Sequence, residues 1–326
     1  MIRTFIILAL LLFAAREVHS QNKYSSIDSQ ARELNTKSRN LKVIHRKLTR
    51  NLTSNEMKVR SFYVWIAENI EYDVDLFYNR SKLKKFYQRP LKSRLKRTLR
   101  ERSAVCGGYS ELFRELCRLS GIPAEIESGF SKIEPRNIAK QGKVDHAWNK
   151  VKIGNKWRLI DVTWGSGYVS KRHFFKDFRE EYFFTDRRKF YHNHYPAKSS
   201  IPFKSIGFTR NEFINFPLVH FGFFRWIKSL EGDSKIGEKE ILEGETVYIS
   251  FIKDGPIGTV WIRNAGSPSF RPEVVRDGDL CTIAIKFDEP GYYEPTISIN
   301  TMPALTYKVI VREREGVASI VRSPRF

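Results

Sequence analysis

The sequence predicts an α+β protein that ends in a small β-sandwich, and three observations carry that prediction. Apolar residues recur at three- and four-residue steps over 55–70 and 104–120, which is helical spacing. Residues 124–130 and 146–163 read as strands. From about residue 208 the texture changes to short β-like runs punctuated by Gly, Pro, Asn and Asp. A hydrophobic content of 41% with 13% aromatics makes the chain globular and excludes a disordered one. Its 326 residues suffice for two domains at roughly 100–200 residues each.

Taken in order, the N-terminus reads as a secretory signal peptide. Arg3 supplies the positive charge, Phe5 to Ala15 is an apolar run, and Val18-His19-Ser20 fits a cut before Gln21. The run is too short to span a bilayer, and no later transmembrane stretch follows, so a secreted or periplasmic protein is expected. Residues 28–50 read as one helix with a thin stripe of Leu34, Leu41, Ile44 and Leu48. Over 55–70, Val59, Phe62, Tyr63, Ile66 and Ile70 form an apolar face, with Ser54 placed to cap its start. Between Arg80 and Arg102 eleven Lys or Arg stand against one acid, Glu101. The expectation there is a solvated, mobile basic loop. The helix over 104–120 stops at Gly121 and Pro123. The β-like runs of the tail are Thr246–Ile252, Thr259–Ile262, Leu280–Phe287, Thr296–Ile299 and Tyr307–Val311.

The formal charge is +21. Such a surplus favours anionic partners (nucleic acid, acidic polysaccharide, membrane or acidic protein) or simply keeps a basic surface soluble. In 80–102, Phe86 and Tyr87 interrupt the cations, a pattern able to hold a nucleic-acid backbone, although no nucleic-acid motif accompanies it. Three cysteines, Cys106, Cys117 and Cys281, leave at least one unpaired within the monomer.

Cys106 falls where the chain turns into a helix. Unpaired backbone N–H groups and the helix dipole favour thiolate there. Gly107 and Gly108 follow, at a cost of about 1 kcal/mol each against Ala. Bare backbone beside a nucleophile lets a substrate carbonyl approach, and the Cys106 N–H can donate to a developing oxyanion. The alternative is a buried cysteine in a softened turn.

Val151 to Trp157 reads as two strands joined by a Gly154-Asn155 turn. In that register Trp148 faces Asp161 and His146 faces Thr163. His146 and Asp161 become diagonal neighbours on one face, about 7–8 Å apart at the backbone. Asp161 can then fix the imidazole tautomer so that the other nitrogen faces the thiol.

The runs Ala104-Val105-Cys106-Gly107-Gly108-Tyr109-Ser110, Gly121-Ile122-Pro123, Asp145-His146-Ala147-Trp148-Asn149 and Trp157 to Trp164 resemble the transglutaminase-like superfamily. So do Tyr63-x-Trp65-Ile66-x-x-Asn69-Ile70-x-Tyr72-Asp73 and Tyr182-Phe183-Phe184-Thr185-Asp186. The match is best to the branch that includes the kyphoscoliosis peptidase and its bacterial relatives, over roughly residues 55–200, with an immunoglobulin-like tail often following in that branch. The resemblance implies a papain-type core: a helix carrying Cys106 packed on an antiparallel sheet carrying His146 and Asp161. It implies thiolate attack on an amide carbonyl through a thioester, resolved by water in a peptidase or by an amine in cross-linking. The expected organisation is a signal peptide at 1–20, a catalytic domain at 21–205, a β-sandwich at 206–315 and a tail at 316–326.

Substrate-side candidates are Gly107 and Gly108, Trp148 as a tunnel wall or plain core, and Tyr72 as an oxyanion donor. No cofactor is implied. No acidic cluster matches the calcium site of animal transglutaminases, and His192-x-His194 lacks a third ligand. Cys117 and Cys281 read as packed. The competing reading is a catalytically silent scaffold that holds extracellular or cell-wall polymers through its basic face and β-domain. A third is a nucleic-acid binder driven by 80–102.

Overall fold

The structure, a computed structural model, describes residues 23–34, 38–198, 207–266 and 268–314. The signal-peptide reading falls on 1–20, outside the described residues. The chain divides into two compact units, 130–144 with 191–326 forming the second and the remainder the first.

In the first unit the helix read over 28–50 is two, α1 (23–33) and α2 (Leu41–Leu48). Asn40 restarts the chain by accepting from the Lys42 amide, an N-cap that a single-stripe reading passes over. Helix α3 (Asn55–Asn69) follows, with Ser54 at the cap position but making no side-chain cap bond. Its residues from Val59 to Ala67 are all buried. The helix is therefore central rather than one-sided, and it packs against α2 and two helices introduced below.

Strand β1 (Glu71–Tyr72) then leads into an excursion of three helices: α4 (Val74–Tyr78), α5 (Arg80–Tyr87) and α6 (Leu91–Glu101). The basic run is thus helical, a correction to the mobile-loop expectation. A sparse stripe underlies the charge: Leu83 and Phe86 on α5, then Leu91, Leu95, Thr98 and Leu99 on α6. Phe86 is buried with Leu76 and Val105. The excursion closes at β2 (Ser103–Ala104), which pairs parallel with β1, Tyr72 opposite Ala104. Its exit and return are thus tied together two residues before α7.

Helix α7 (Cys106–Leu119) ends as the Gly-Pro signal predicts: Gly121 is left-handed (φ +68°) and the Ile122 amide returns to the Cys117 carbonyl at 2.9 Å. Strands β3 (Ala124–Ser131), β4 (His146–Ile153) and β5 (Lys156–Ile160) form an antiparallel sheet with β4 in the middle. The β4–β5 register is the one predicted, Ile153 opposite Lys156 and Asn149 opposite Ile160. The ladder stops there, and α8 (Val162–Ser166) begins where a strand through 163 was expected. A hairpin of β6 (Gly167–Ser170) and β7 (His173–Lys176) follows, then β8 (Phe183–Thr185) on the free edge of β5, and α9 (Arg187–Tyr191). Helix α7 packs on α2, α3, α6, α8 and β4, which sets the helix carrying the cysteine on the sheet carrying the histidine.

The second unit is strand-rich, consistent with a β-sandwich. After β9 (His194–Pro196) and α10 (Arg210–Asn215) come β10 (Leu218–Val219), α11 (Phe223–Trp226), β11 (Ile227–Leu230), β12 (Glu238–Leu242) and β13 (Thr246–Lys253). Then come β14 (Val260–Arg263), β15 (Glu273–Asp277), β16 (Leu280–Lys286), β17 (Gly291–Tyr293), β18 (Thr296–Ile299), β19 (Met302–Thr306) and β20 (Lys308–Arg312). Their sheets run β11-β13-β16-β15, β10-β19-β18-β14 and β12-β20-β17. Inward residues such as Ile249, Phe251, Ile283, Ile285, Ile297 and Val309 share one core. Cys281 is buried in it.

Candidate active site

Cys106 is the first residue of α7 and is partly exposed, whereas Cys117 and Cys281 are fully buried. The amides of Gly108 and Tyr109 already bond the Val105 carbonyl and that of Gly107 meets the Tyr87 hydroxyl, which leaves the Cys106 amide at the helix start. Across from this end, His146 opens β4, opposite Gly129 of β3. Its Nε2–H donates to Asp161 Oδ2 at 2.7 Å, and the imidazole also hydrogen-bonds Cys106. With Nε2 committed to the carboxylate, Nδ1 is the nitrogen left for the sulfur.

Asp161 is completely buried. It is the N-cap of α8: its Oδ1 accepts from the amides of Thr163 (2.8 Å) and Trp164 (3.1 Å). The carboxylate is thereby held by backbone on one oxygen and aims the other at His146. Burial opposes a charged imidazole, but the charge and hydrogen bond of Asp161, with Cys106 added, outweigh it and raise the His146 pKa to about 10. The three predicted residues therefore come together, in the order sulfur, imidazole, carboxylate.

Trp148 is fully buried, with its indole N–H on Glu127 Oε2 at 3.0 Å and its ring 6.0 Å from that of His146. Tyr72 is half-buried. Burial and then the charge of Cys106 raise its pKa well above the usual phenol value. At Gly107 and Gly108 the close approaches are made by the protein itself. A Cβ on Gly107 would lie 2.2 Å from the Tyr87 hydroxyl, and one on Gly108 would lie 2.8 Å from the Ala104 Cβ. His192 belongs to the second unit, ringed by Phe208, Phe216, Phe223 and Phe224. His194 is buried in the same unit.

Two site residues escaped the sequence reading. Trp164 stacks on the His146 ring at 5.0 Å and 23°. Read as a strand, 161 and 164 point to opposite faces. Asp before Val162-Thr163-Trp164 is also an N-cap pattern, and that reading brings both to one side. Tyr87, from α5, brings its hydroxyl to the Gly107 amide. No local signal ties it to a cysteine nineteen positions on.

Residues 42–162 match the family model of the transglutaminase-like superfamily. The chain is 31% identical over 179 residues to kyphoscoliosis peptidase of Mus musculus, covering 53% of this chain and 25% of that protein. It is 34% identical over 145 residues to the Homo sapiens kyphoscoliosis peptidase, covering 43% and 20%. Hillarin of Drosophila melanogaster is 26% identical over 136 residues, 36% of this chain and 16% of that one. The chain thus spans a quarter or less of these relatives' lengths. Among solved structures, one titled a TGase matches with a TM-score of 0.30 at 18% identity, over 52% of this chain and 40% of that one. A putative cysteine protease from Cytophaga hutchinsonii matches with a TM-score of 0.24 at 29% identity, over 32% and 30%. Residues 42–162, which carry Cys106 and His146 and reach Asp161, form a domain of the transglutaminase-like superfamily, and the similarity to the kyphoscoliosis peptidases supports that branch.

Proposed function

We propose that the protein is an exported cysteine enzyme that opens amide bonds of proteins or peptides through a thioester, acting as a peptidase. One observation carries this: a partly exposed sulfur at a helix start bonded to an imidazole that a buried carboxylate holds. The Cys106 thiolate attacks the amide carbonyl, and its sulfur–carbon bond forms as the C=O electrons move to oxygen. The Cys106 amide at the helix start is the donor for that oxygen. Protonated His146 gives its Nδ1 proton to the leaving amine as the C–N bond breaks, leaving a thioester. His146 then takes a proton from water, which attacks the thioester, and the acid and the thiolate are released.

Export rests on the n-region, apolar run and cleavage pattern of residues 1–20. An immunoglobulin-like second domain is supported by strand order. Assigned in sequence, β11-β13-β16-β15 corresponds to A-B-E-D, and β14, β18 and β19 to C, F and G.

Iodoacetamide labelling of the full chain tests the site. Cys106 is expected to alkylate faster than a free thiol at neutral pH, and His146→Ala to slow it by on the order of 10²-fold or more. Labelling no faster than a free thiol sinks the enzymatic reading. A peptide library with and without an added amine, read by mass, then separates cleavage from deamidation and cross-linking.

A further inference from the structure

The helical excursion between β1 and β2 is the part of the molecule the catalytic reading leaves unused, and it borders the nucleophile. It is tied off by the Tyr72–Ala104 pairing two residues before Cys106. Phe86 anchors α5 among Leu76 and Val105, and Tyr87 sets its hydroxyl on the Gly107 amide. The C-terminal end of α5 therefore lies beside the helix start that carries the sulfur.

The cations of this excursion fall into two sets. Arg94 donates to Glu111 of α7 (3.0 Å), and Arg97 donates to Asp73 (2.9 Å) and Glu101 (2.7 Å); these half-buried arginines fasten the excursion to the body. Lys82, Lys84, Lys85, Arg89, Lys92 and Lys96 are exposed. Among the described residues none of these six is in an ion pair. Holding so many like charges on two short helices costs self-repulsion that no internal partner relieves, so the surface is built for an anion from outside.

We propose that α5–α6 is the substrate-recognition face of the enzyme, and that it selects polypeptide segments rich in Asp and Glu. The inference rests on the acyl-transfer reading of the site. A polypeptide is favoured over nucleic acid on two counts. A single strand needs a run of aromatic platforms for its bases, and on α5–α6 Phe86 is packed inside, which leaves Tyr87, with its hydroxyl held at Gly107, as the one exposed ring among the described residues of the two helices. Phosphate is gripped best by the arginine fork, and the arginines of α6 are already engaged, leaving mainly lysines to face solvent. Flexible carboxylates suit such point charges, and they carry the amides that the site attacks.

The test uses the full chain with Cys106→Ala, so that binding is read without turnover. Fluorescence anisotropy compares a labelled Glu-rich peptide with a neutral one of equal length at about 50 and 200 mM salt. The acidic peptide is expected to bind roughly tenfold tighter at the lower salt, and to lose most of that advantage at the higher. Adding Lys84→Glu, Lys85→Glu and Arg89→Glu together should abolish the preference. Equal binding of the two peptides, or a preference that survives the triple reversal, overturns the proposal. So does a single-stranded oligonucleotide of matched charge binding more tightly than the acidic peptide. Slow alkylation of Cys106 in the unmutated chain would instead sink the acyl-transfer reading and leave these binding results standing.

Discussion

One oxygen of Asp161 takes the imidazole N–H of His146 and the other takes the first amides of α8, so the carboxylate cannot rotate away from either partner. The consequence is a pH dependence. Folding raises the His146 pKa from the ordinary 6.5 to about 10, so the folded chain takes up a proton between those values. The stabilisation is complete below about pH 6.5 and is lost as pH rises through about 10. In Asp161→Asn the carboxylate charge is gone and burial drives the imidazole toward neutrality. Urea midpoints, which should fall between pH 7 and 9.5 in the wild type, are then expected to flatten, and acylation to slow by roughly 10²–10⁴-fold with its basic limb moved to lower pH. A variant whose basic limb stays in place would show that the carboxylate does not set the His146 charge. That His146 and Asp161 come close was legible because the Gly154-Asn155 turn fixes the register up to Asn149–Ile160, although the ladder ends before the His146–Thr163 pairing expected of it. Trp164 was not, because the ladder ends at Ile160 and the cap that replaces it changes the direction of everything after Asp161.

At the scale of elements, α3 shows what pattern reading misses. Its apolar spacing was read as one face on a core, yet even Arg60 and Ser61 are buried. Arg60 is accommodated by two acids from distant segments: Asp28 of α1, at 2.7 and 2.6 Å, and Glu180, at 2.8 and 2.6 Å. No periodicity encodes such a pairing, which joins positions 32 and 120 residues away. The guanidinium also lies over the rings of Tyr24 and Phe183, both 4.8 Å away, so it serves as a hub for α1, α3 and β8. Removing it leaves Asp28 buried without its partner. Arg60→Ala is expected to destabilise by about 3 kcal/mol, the lower end for a broken buried pair because Glu180 is half-exposed. Chemical denaturation checks this, and a loss under about 1 kcal/mol would put Arg60 among ordinary surface pairs. The basic run failed as a loop for a related reason. Charge density masked an apolar residue every third or fourth position, enough to seat α5 and α6 once Val105 and Leu76 supply the other side.

For the whole molecule the deciding quantity is the net charge of +21. Like charges in such excess repel across the folded surface, and salt screens that repulsion. Salt also weakens the surface ion pairs, among them Arg118–Glu115, Lys286–Asp288 and Lys253–Asp279, so the two effects oppose one another. Exposed pairs contribute at most about 1 kcal/mol each and many contribute nothing measurable. The repulsion, in contrast, acts at long range, reaching about 30 Å at 0.01 M salt but only about 8 Å at 0.15 M. Screening should therefore relieve more than it removes. Calorimetric melting is expected to shift upward between those two salt concentrations, and the Lys84→Glu, Lys85→Glu, Arg89→Glu variant, with less charge to screen, to start higher and gain less. Melting that moves downward with salt would mean that the ion pairs dominate.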